Sequence, residues 1–355
     1  MKTSSSPFRA GVARADITPQ PGTQLVGDVT SIRKFKEGAV ADPLYARVLV
    51  LEAGDRKLCI VTLDLTLLTE PCTLAIRKAV GEECGLKPEA VMLQATQTHS
   101  APTLGNVMLD EDFSGVPPEM DWLRGGDPAY EALALPLIID AIKRANDNMQ
   151  PASLGSGSGI EGRWAFNRRA VMRDGKVFMP HNLWKDNPLG PTQLLYMEGP
   201  MDPEVGVLAV RAESGELICV LVNYTCHPVH VFPKAVVSAD WPGALCDALE
   251  ESYDGCIPLV VNGCCGNINP WPPFDPDYEF NGDHVAMGNA LADMTRKVVA
   301  SLEWQDEGTL DWRARRVPLE IREPSLEQRE ADAQLLAQHS TRPGTRGKPA
   351  SHPIG

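Results

Sequence analysis

Two histidines and an aspartate lie close together in the segment from Leu217 to Gly243. His227 and His230 follow a continuous apolar run that ends at Val222, and Asp240 comes shortly after them. The run predicts a strand covered on both faces, and the prolines after it predict irregular chain. Imidazole and carboxylate groups at this spacing fit half of a zinc site; a buried loop whose histidines bond only backbone groups is an equally simple interpretation.

The composition limits the classes of function. A chain of 355 residues with 43% hydrophobic residues can bury a large core, as one domain or two. Its net charge of -14 argues against binding to a nucleic-acid backbone, which depends on Lys and Arg. No apolar run reaches the length of a membrane span or a signal-peptide core, so we expect a soluble, cytoplasmic protein. The nine cysteines are expected to be reduced thiols.

The elements that must position these side chains occur twice. Each copy begins with Asp-Pro and predicts a β-hairpin, a helix and a further strand, and the spacing from Asp42 to Cys59 equals that from Asp202 to Cys219. The sequence therefore predicts an α/β fold in which two pseudo-repeated β-hairpin-α-β units form mixed sheets flanked by helices. The predicted elements are strands 46–52, 58–63 and 90–95 with a helix capped by Thr69, and strands 207–211, 217–222 and 257–262 with a helix over 241–251.

Polar residues gather where the last strand of each copy ends. The first copy continues into T-Q-T-H-S-A-P, with Gln97 and His99, and the second continues into G-C-C-G-N-I-N-P, with Asn267 and Asn269. If the copies are related by a pseudo-two-fold axis, these loops face each other across a cleft, the usual place for a site in an α/β protein.

Between the copies, E-G-R-W-A-F-N-R-R carries Trp164, Asn167 and Arg168. With Arg163 and Arg169, these residues could form a clamp for an anion or a carbonyl, or a solvated basic turn. The preceding G-S-G-S-G lacks the strand-to-helix context of a phosphate loop, so it is not a nucleotide signal.

Four motifs together resemble the neutral, non-lysosomal ceramidase family. They are T-Q-T-H-S-A-P at 96–102, E-G-x-x-x-x-N-R-R at 161–169, N-Y-T-C-H-P at 223–228 and N-G-C-C-G-N-I-N-P at 262–270, and the resemblance runs from about Arg9 to Trp304. It implies a zinc-dependent amide hydrolase. The metal would be held by one His from a T-H-T-H-S loop, one from the N-x-x-x-H loop, and a Glu and a Tyr from further on, with a basic N-R segment facing the substrate.

The departures from the family pattern concern the same motifs. Gln97 stands where the family has its first His ligand, so only His99 remains in that loop, whereas His227 matches the second ligand. In place of G-D-V-S-P-N the chain has G-N-I-N-P-W, so that Asn267 replaces the Asp and Asn269 replaces the Ser held to be catalytic. The resemblance puts the Glu and Tyr ligands beyond residue 355, and we therefore expect a truncated or shortened relative. The predicted domain limits are 9–304 for the ceramidase-like part and 305–355 for an extension of strand, helix and flexible tail.

The resulting hypothesis is a zinc-dependent hydrolase of an amide or ester bond in a small molecule other than ceramide. His99 and His227 would hold zinc, with His230 or Asp240 as third ligand, and the pKa of a bound water would fall to about 7. Arg168 would bind or polarise the substrate, and Asn267 and Asn269 would donate hydrogen bonds toward developing negative charge, unless they serve only the turn.

Four side chains are assigned to the substrate: Gln97, Trp164, Asn167 and Trp271. Aromatic residues near the loops, which include Trp241 and Phe274, would suit a sugar platform or an acyl groove. Two alternatives stay open: a relative that has lost catalysis and binds a ligand or partner in the old cleft, and a metal-dependent, carbohydrate-directed enzyme. The oligomeric state is not predicted.

Overall fold

The computed structural model describes residues 5–26, 33–109, 112, 118–179, 194–272, 283–320 and 323–340. Phe274 lies outside these ranges. The strands are β1 (Ser6–Asp16), β2 (Gln24–Leu25), β3 (Arg33–Lys34), β4 (Tyr45–Ala53), β5 (Arg56–Leu63), β6 (Val91–Ala95), β7 (Gln150–Ile160), β8 (Phe166–Asn167), β9 (Ala170–Met172), β10 (Val177–Phe178), β11 (Leu194–Met197), β12 (Glu204–Ala212), β13 (Leu217–Tyr224), β14 (Ile257–Asn262), β15 (Ile268–Asn269) and β16 (Glu307–Gly308). The helices are α1 (Glu70–Cys84), α2 (Pro128–Asp147), α3 (Asp240–Ser252), α4 (His284–Val299) and α5 (Leu326–Ser340), and short 3₁₀ helices span Pro88–Ala90 and Pro118–Arg124.

The predicted duplication is confirmed. The hairpin β4–β5, helix α1 and strand β6 form one unit, and β12–β13, α3 and β14 form the other. In both units the last strand pairs parallel to the second strand of the hairpin, with Cys59 opposite Val91 and Cys219 opposite Ile257. Strands β1 and β7 precede the hairpins and pair with each other, which gives the order β14-β13-β12-β7-β1-β4-β5-β6 and leaves the units symmetric about the β1–β7 pair.

The sheet is buried on both faces, which explains the nearly continuous apolar strands. One core cluster joins the first half of the sheet to α1 and α2, and a second joins the other half to α3 and α4. A third cluster contains Leu49, Leu51 and Ile60 from the first half and Val210 and Leu259 from the second. The two halves of the sheet therefore pack face to face through this third cluster. Helices α1 and α2 cover the outer face of one half and α3 and α4 cover the outer face of the other, which gives four layers.

Local signals placed the elements well. Thr69 is the N-cap of α1, and Gly85 ends that helix with a φ of 65°, the left-handed conformation that glycine adopts without a side-chain clash. The G-S-G-S-G segment lies in β7, where Gly159 lacks a side chain because a Cβ there would stand 2.6 Å from the sulfur of Met294 on α4. These glycines serve helix packing, in agreement with their rejection as a phosphate loop.

Strand β16 pairs with β1, so the segment after Trp304 begins by extending the sheet, and α5 follows it, in the expected order of strand and helix. The domain boundary at residue 304 stays a prediction. The nine cysteines are free thiols. Among the described helices, none combines the length and apolar character that a membrane crossing requires.

Candidate functional site

The two polar loops converge at one end of the sheet. The amide of His99, in the loop after β6, donates to the carbonyl oxygen of Pro228 over 3.1 Å, and the imidazole rings of His99 and His227 stand edge to face with centroids 5.3 Å apart. The turn with Asn267 and Asn269 joins them, because the amide of His227 donates to the carbonyl of Ile268 over 3.1 Å. The predicted convergence of these loops is confirmed.

The side chain of Asn262, the last residue of β14, holds the two loops together. Its Nδ2 donates to the carbonyl oxygens of Thr96 and Cys226 over 2.9 and 3.0 Å, and its Oδ1 accepts from the amide of Cys226 over 3.3 Å. One amide group thus satisfies backbone groups of the His99 loop and the His227 loop at once. Asn262 therefore ties the His99 loop to the His227 loop.

His227 is buried, and its ring orientation is fixed. Its Nδ1 lies 2.6 Å from the carbonyl oxygen of Cys265, and because a carbonyl only accepts, Nδ1 carries the proton. In the neutral ring the lone pair is then on Nε2. Burial, together with the nearby Arg168 cation, lowers the pKa of His227 below its ordinary 6.5, which keeps the ring neutral. A histidine ligand of zinc needs this state and this kind of carbonyl partner.

The histidine pair has a spacing that suits one metal ion. With Zn–N bonds of about 2.0–2.1 Å and tetrahedral angles, two imidazoles on one zinc have centroids about 5 Å apart. The observed 5.3 Å is close to that value. His99 is held by Arg33, whose Nη2 donates to its carbonyl oxygen, and by the ring of Phe232, whose centroid lies 5.6 Å away edge to face.

Arg168 lies beside His227 because β8 pairs with β15, which sets Asn167 opposite Ile268. Its guanidinium donates to the carbonyl oxygen of Gly266 over 2.8 Å and to Oδ1 of Asn269 over 3.3 Å. Burial lowers the pKa of Arg168, the effect expected for a partly desolvated cation. Asn269 is buried, whereas Asn267 is half-buried and accepts from the Arg168 amide through its backbone carbonyl.

Two members of the wider arginine clamp suggested by the sequence are paired with carboxylates, and their part in a clamp stays a prediction. Arg163 pairs with Glu161, and Arg169 pairs with Glu198. Both arginines are therefore neutralised by a neighbouring carboxylate. Arg168 instead donates to the turn that contains Gly266 and Asn269.

The residues assigned to the substrate differ in their surroundings. Gln97 lies beside the site, where its Oε1 is 3.1 Å from the thiol sulfur of Cys265, and its φ of 68° is a left-handed conformation uncommon for a residue with a side chain. Asn167 is buried and its Oδ1 accepts from the amide of Arg169. Trp164 is half-buried and Trp271 is buried. Their contacts with substrate stay predictions.

Trp241 corrects the sequence interpretation. It is fully buried, and its ring lies edge to face with Tyr224 at 5.8 Å. A side chain inside the core cannot form a platform for a ligand, so Trp241 contributes packing between α3 and β13.

His230 and Asp240 form a buried pair of their own. Nδ1 of His230 lies 3.0 Å from Oδ1 of Asp240, whose two oxygens also accept from the amides of Trp241 and Val231. Burial alone would raise the pKa of Asp240, but the hydrogen bonds, first that of His230, lower it below its ordinary value. No set of three or more His, Cys, Asp or Glu within the described ranges is arranged to hold a metal. A third ligand from His230 or Asp240 therefore stays a prediction.

Comparison with known proteins identifies the fold. No family model matches the chain, and no curated protein matches it. The solved structures that match include neutral ceramidase from Pseudomonas aeruginosa, with a TM-score of 0.65 and 21% identity over 83% of this chain, and a ceramidase complexed with C2, with a TM-score of 0.64 and 22% identity over 83%. This chain has the neutral ceramidase fold. It spans 45% and 44% of those two chains.

Within this ceramidase-like fold, three residues that support the histidines were missed from the sequence: Arg33, Asn262 and Cys265. Asn262 carried a usable signal, since an asparagine before glycine at the end of a buried strand predicts a turn whose amide bonds backbone groups. Arg33 carried none, because its contacts join segments far apart in the chain. Cys265 acts through its backbone carbonyl, which any residue type would supply.

Proposed function

We propose that the chain is a zinc-dependent hydrolase of an amide or ester bond in a substrate other than ceramide. The observation that carries this proposal is the His99–His227 pair, with centroids 5.3 Å apart and the Nδ1 of His227 bound to a carbonyl. When bound, zinc supplies Lewis acidity, which polarises a carbonyl and acidifies water. The fold similarity supports the same class of reaction, and a small-molecule substrate and a cytoplasmic location are inferred from composition.

The chain's own residues would orient the substrate. The Arg168 guanidinium is partly buried beside His227, so it can bind a carbonyl oxygen or an anionic group of the substrate. Asn269 accepts from Arg168 through Oδ1, and by the chemistry of an amide its Nδ2 is the group that can donate toward developing negative charge. Gln97 would line the same space with a neutral amide.

Metal content and hydrolysis test the proposal together. Protein purified without chelator is expected to contain about one zinc per chain and to hydrolyse members of a panel of small amides and esters. His227→Ala should lose both zinc and activity, whereas His230→Ala, three positions along the same loop, should weaken zinc binding only if His230, and not its partner Asp240, is the third ligand. Full zinc content in the His227 variant would overturn the metal role, and zinc without any hydrolysis would overturn the enzymatic one.

A second function is favoured by a specific observation. Gln97 occupies the position of a family ligand and its amide contacts the Cys265 thiol, while Asn269 occupies the position of the serine. Both replacements suit a cleft that binds a ligand without cleaving it. Zinc-free protein that retains its folded state and lacks hydrolysis is the outcome expected for that alternative.

A further inference from the structure

A compact apolar cavity, partly open to solvent beside the exposed Met108, lies next to the His99 loop. Its volume is about 170 Å³, and its apolar lining comes mainly from Val26, Met108, Leu109, Trp122 and Leu123. Val26 follows β2, the methionine and leucine follow the His99 loop, and the last two belong to the 3₁₀ helix Pro118–Arg124. The cavity is therefore built from three segments that are separate in sequence.

The polar groups of the cavity wall are bonded within the protein. Gln24 also lines the cavity, and its Nε2 donates to the carbonyl oxygen of Trp122 over 3.0 Å, which accepts from the amide of Gly125 as well. The carbonyl of Gly125 in turn accepts from the hydroxyl of Thr103 over 2.9 Å. A ligand entering the cavity therefore meets mainly hydrocarbon, sulfur and aromatic surface, which favours an apolar occupant.

Arg33 joins the cavity wall to the candidate site. Its Nη2 lies 2.5 Å from the carbonyl oxygen of Val26 and 2.8 Å from that of His99, so the two oxygens are at most about 5 Å apart. The amide of Val26 also donates to the carbonyl of Ala101, two residues after His99. The wall and the His99 loop thus form one bonded structure, in which the backbone of Val26 lies beside that of His99.

The volume restricts the size of the occupant. An engineered apolar cavity of about 150 Å³ binds benzene, and the present cavity is of similar size. We propose, resting on the proposed hydrolase function, that this cavity binds a benzene-sized apolar group attached to the scissile amide or ester bond. The substrate class is then compact aryl or branched-alkyl amides and esters, because a shorter group leaves the cavity unfilled and a long acyl chain exceeds it.

Hydrolytic selectivity is the first test. We measure kcat/KM for two series of amides and esters, in which either the acyl group or the leaving group is varied from methyl through isobutyl and benzyl to heptyl. In one series the benzyl member should exceed both the methyl and the heptyl members by about tenfold or more. Leu123→Trp, which fills the cavity, should lower the benzyl-to-methyl ratio at least tenfold, while Leu74→Trp, at an exposed position on α1, should leave that ratio unchanged.

Ligand binding without turnover is the second test. Toluene is titrated into protein carrying ¹³C-methyl methionine, with the Met108 signal assigned by Met108→Leu. The Met108 methyl resonance should shift saturably in the wild type and in Leu74→Trp, and not in Leu123→Trp. Hydrolysis with no size preference in either series, or no Met108 shift with toluene, overturns the inference and leaves the hydrolase proposal standing. Absence of all hydrolysis overturns the hydrolase proposal and, with it, the assignment of a substrate group to the cavity.

Discussion

The guanidinium of Arg33 donates a hydrogen bond from Nη2 to the carbonyl oxygen of His99 over 2.8 Å. The same guanidinium lies over the ring of Phe232, 4.8 Å from its centroid, and that ring contacts the His99 imidazole edge to face. Arg33 is buried and thus holds His99 both by its backbone and, through Phe232, by its ring. A residue that does not itself bind the metal can orient a metal-binding side chain in this way.

We expect Arg33→Met to weaken zinc binding by about tenfold to a hundredfold, the range found for partners that orient metal ligands. Arg33→Lys should recover part of the affinity, because it keeps a cation but not the planar guanidinium that bonds the carbonyl oxygens of Val26 and His99. Zinc dissociation constants from chelator competition, together with the absorption spectrum of the cobalt-substituted protein, give the measurement.

The matched control is Arg47→Lys, since Arg47 is a buried arginine whose ion pair is with Asp64 and not with the His99 loop. That variant should lose stability and retain its zinc affinity. Equal zinc affinity in the wild type and Arg33→Met would show that Arg33 serves only the fold.

The pKa of His227 gives a pH dependence with a defined sign. Burial and Arg168 hold this pKa below 6.5 in the native state, whereas the unfolded chain takes up the proton near 6.5. The unfolded state therefore binds more protons below that pH, and the contribution of His227 to the free energy of unfolding should decline as pH falls below about 6.5. Zinc affinity should follow the same trend, because a proton on Nε2 competes with the metal.

Arg168→Met should raise the pKa of His227, because a neighbouring positive charge is removed. Arg169→Met is the control, since Arg169 is paired with Glu198. An NMR titration of the His227 ring protons in metal-free protein measures the pKa of His227 in both variants. A pKa that stays unchanged or falls in Arg168→Met would contradict the assignment of the electrostatic effect to Arg168.

The repeated architecture was predictable because it rests on short-range signals. Asp-Pro starts, β-branched runs and the Thr69 and Gly85 helix ends each act over a few residues, and the structure places the elements within a few residues of the expected positions. The equal spacing of Cys59 and Cys219 from their Asp-Pro starts then gave the duplication. The meeting of His99 with His227 followed from that symmetry.

The supporting contacts could not be predicted in the same way. Arg33 reaches His99 across 66 positions of sequence, and Gln97 meets Cys265 across 168. Such contacts depend on how loops close over the sheet ends, which periodicity does not encode. Trp241 was misjudged for a related reason: an aromatic residue after a loop has the same local pattern whether it faces a cleft or, as here, the core.

Asn262→Asp tests whether one amide sets the distance between the histidine loops. The substitution keeps the shape but removes the Nδ2 donor and directs a carboxylate oxygen at the carbonyls of Thr96 and Cys226. We expect a loss of about 2–3 kcal/mol in the free energy of unfolding and a parallel loss of zinc affinity. Urea unfolding and chelator competition measure the two effects.

Asn223→Asp is the comparison variant, because Asn223 is exposed and its amide makes one hydrogen bond, to the carbonyl of Val261. This variant should lower the free energy of unfolding by less than about 1 kcal/mol and leave the zinc affinity unchanged. If Asn262→Asp is no more harmful than Asn223→Asp, the loops are held by other contacts.

The last prediction is that the chain has little or no ceramidase activity and that Gln97→His with Asn269→Ser does not create it. Position 97 has a left-handed backbone and its side chain is engaged with Cys265, and Asn269 supplies an acceptor for Arg168 that a serine hydroxyl would present from a shorter side chain. A misplacement of about 1 Å can cost ~10²-fold in rate, so two substitutions do not restore the geometry.

The assay compares the wild type and the double variant on a short-chain ceramide and on the panel of small amides and esters, with and without added zinc. Turnover should be confined to the panel, and zinc-stimulated cleavage of ceramide faster than any panel member, in either protein, would refute the prediction.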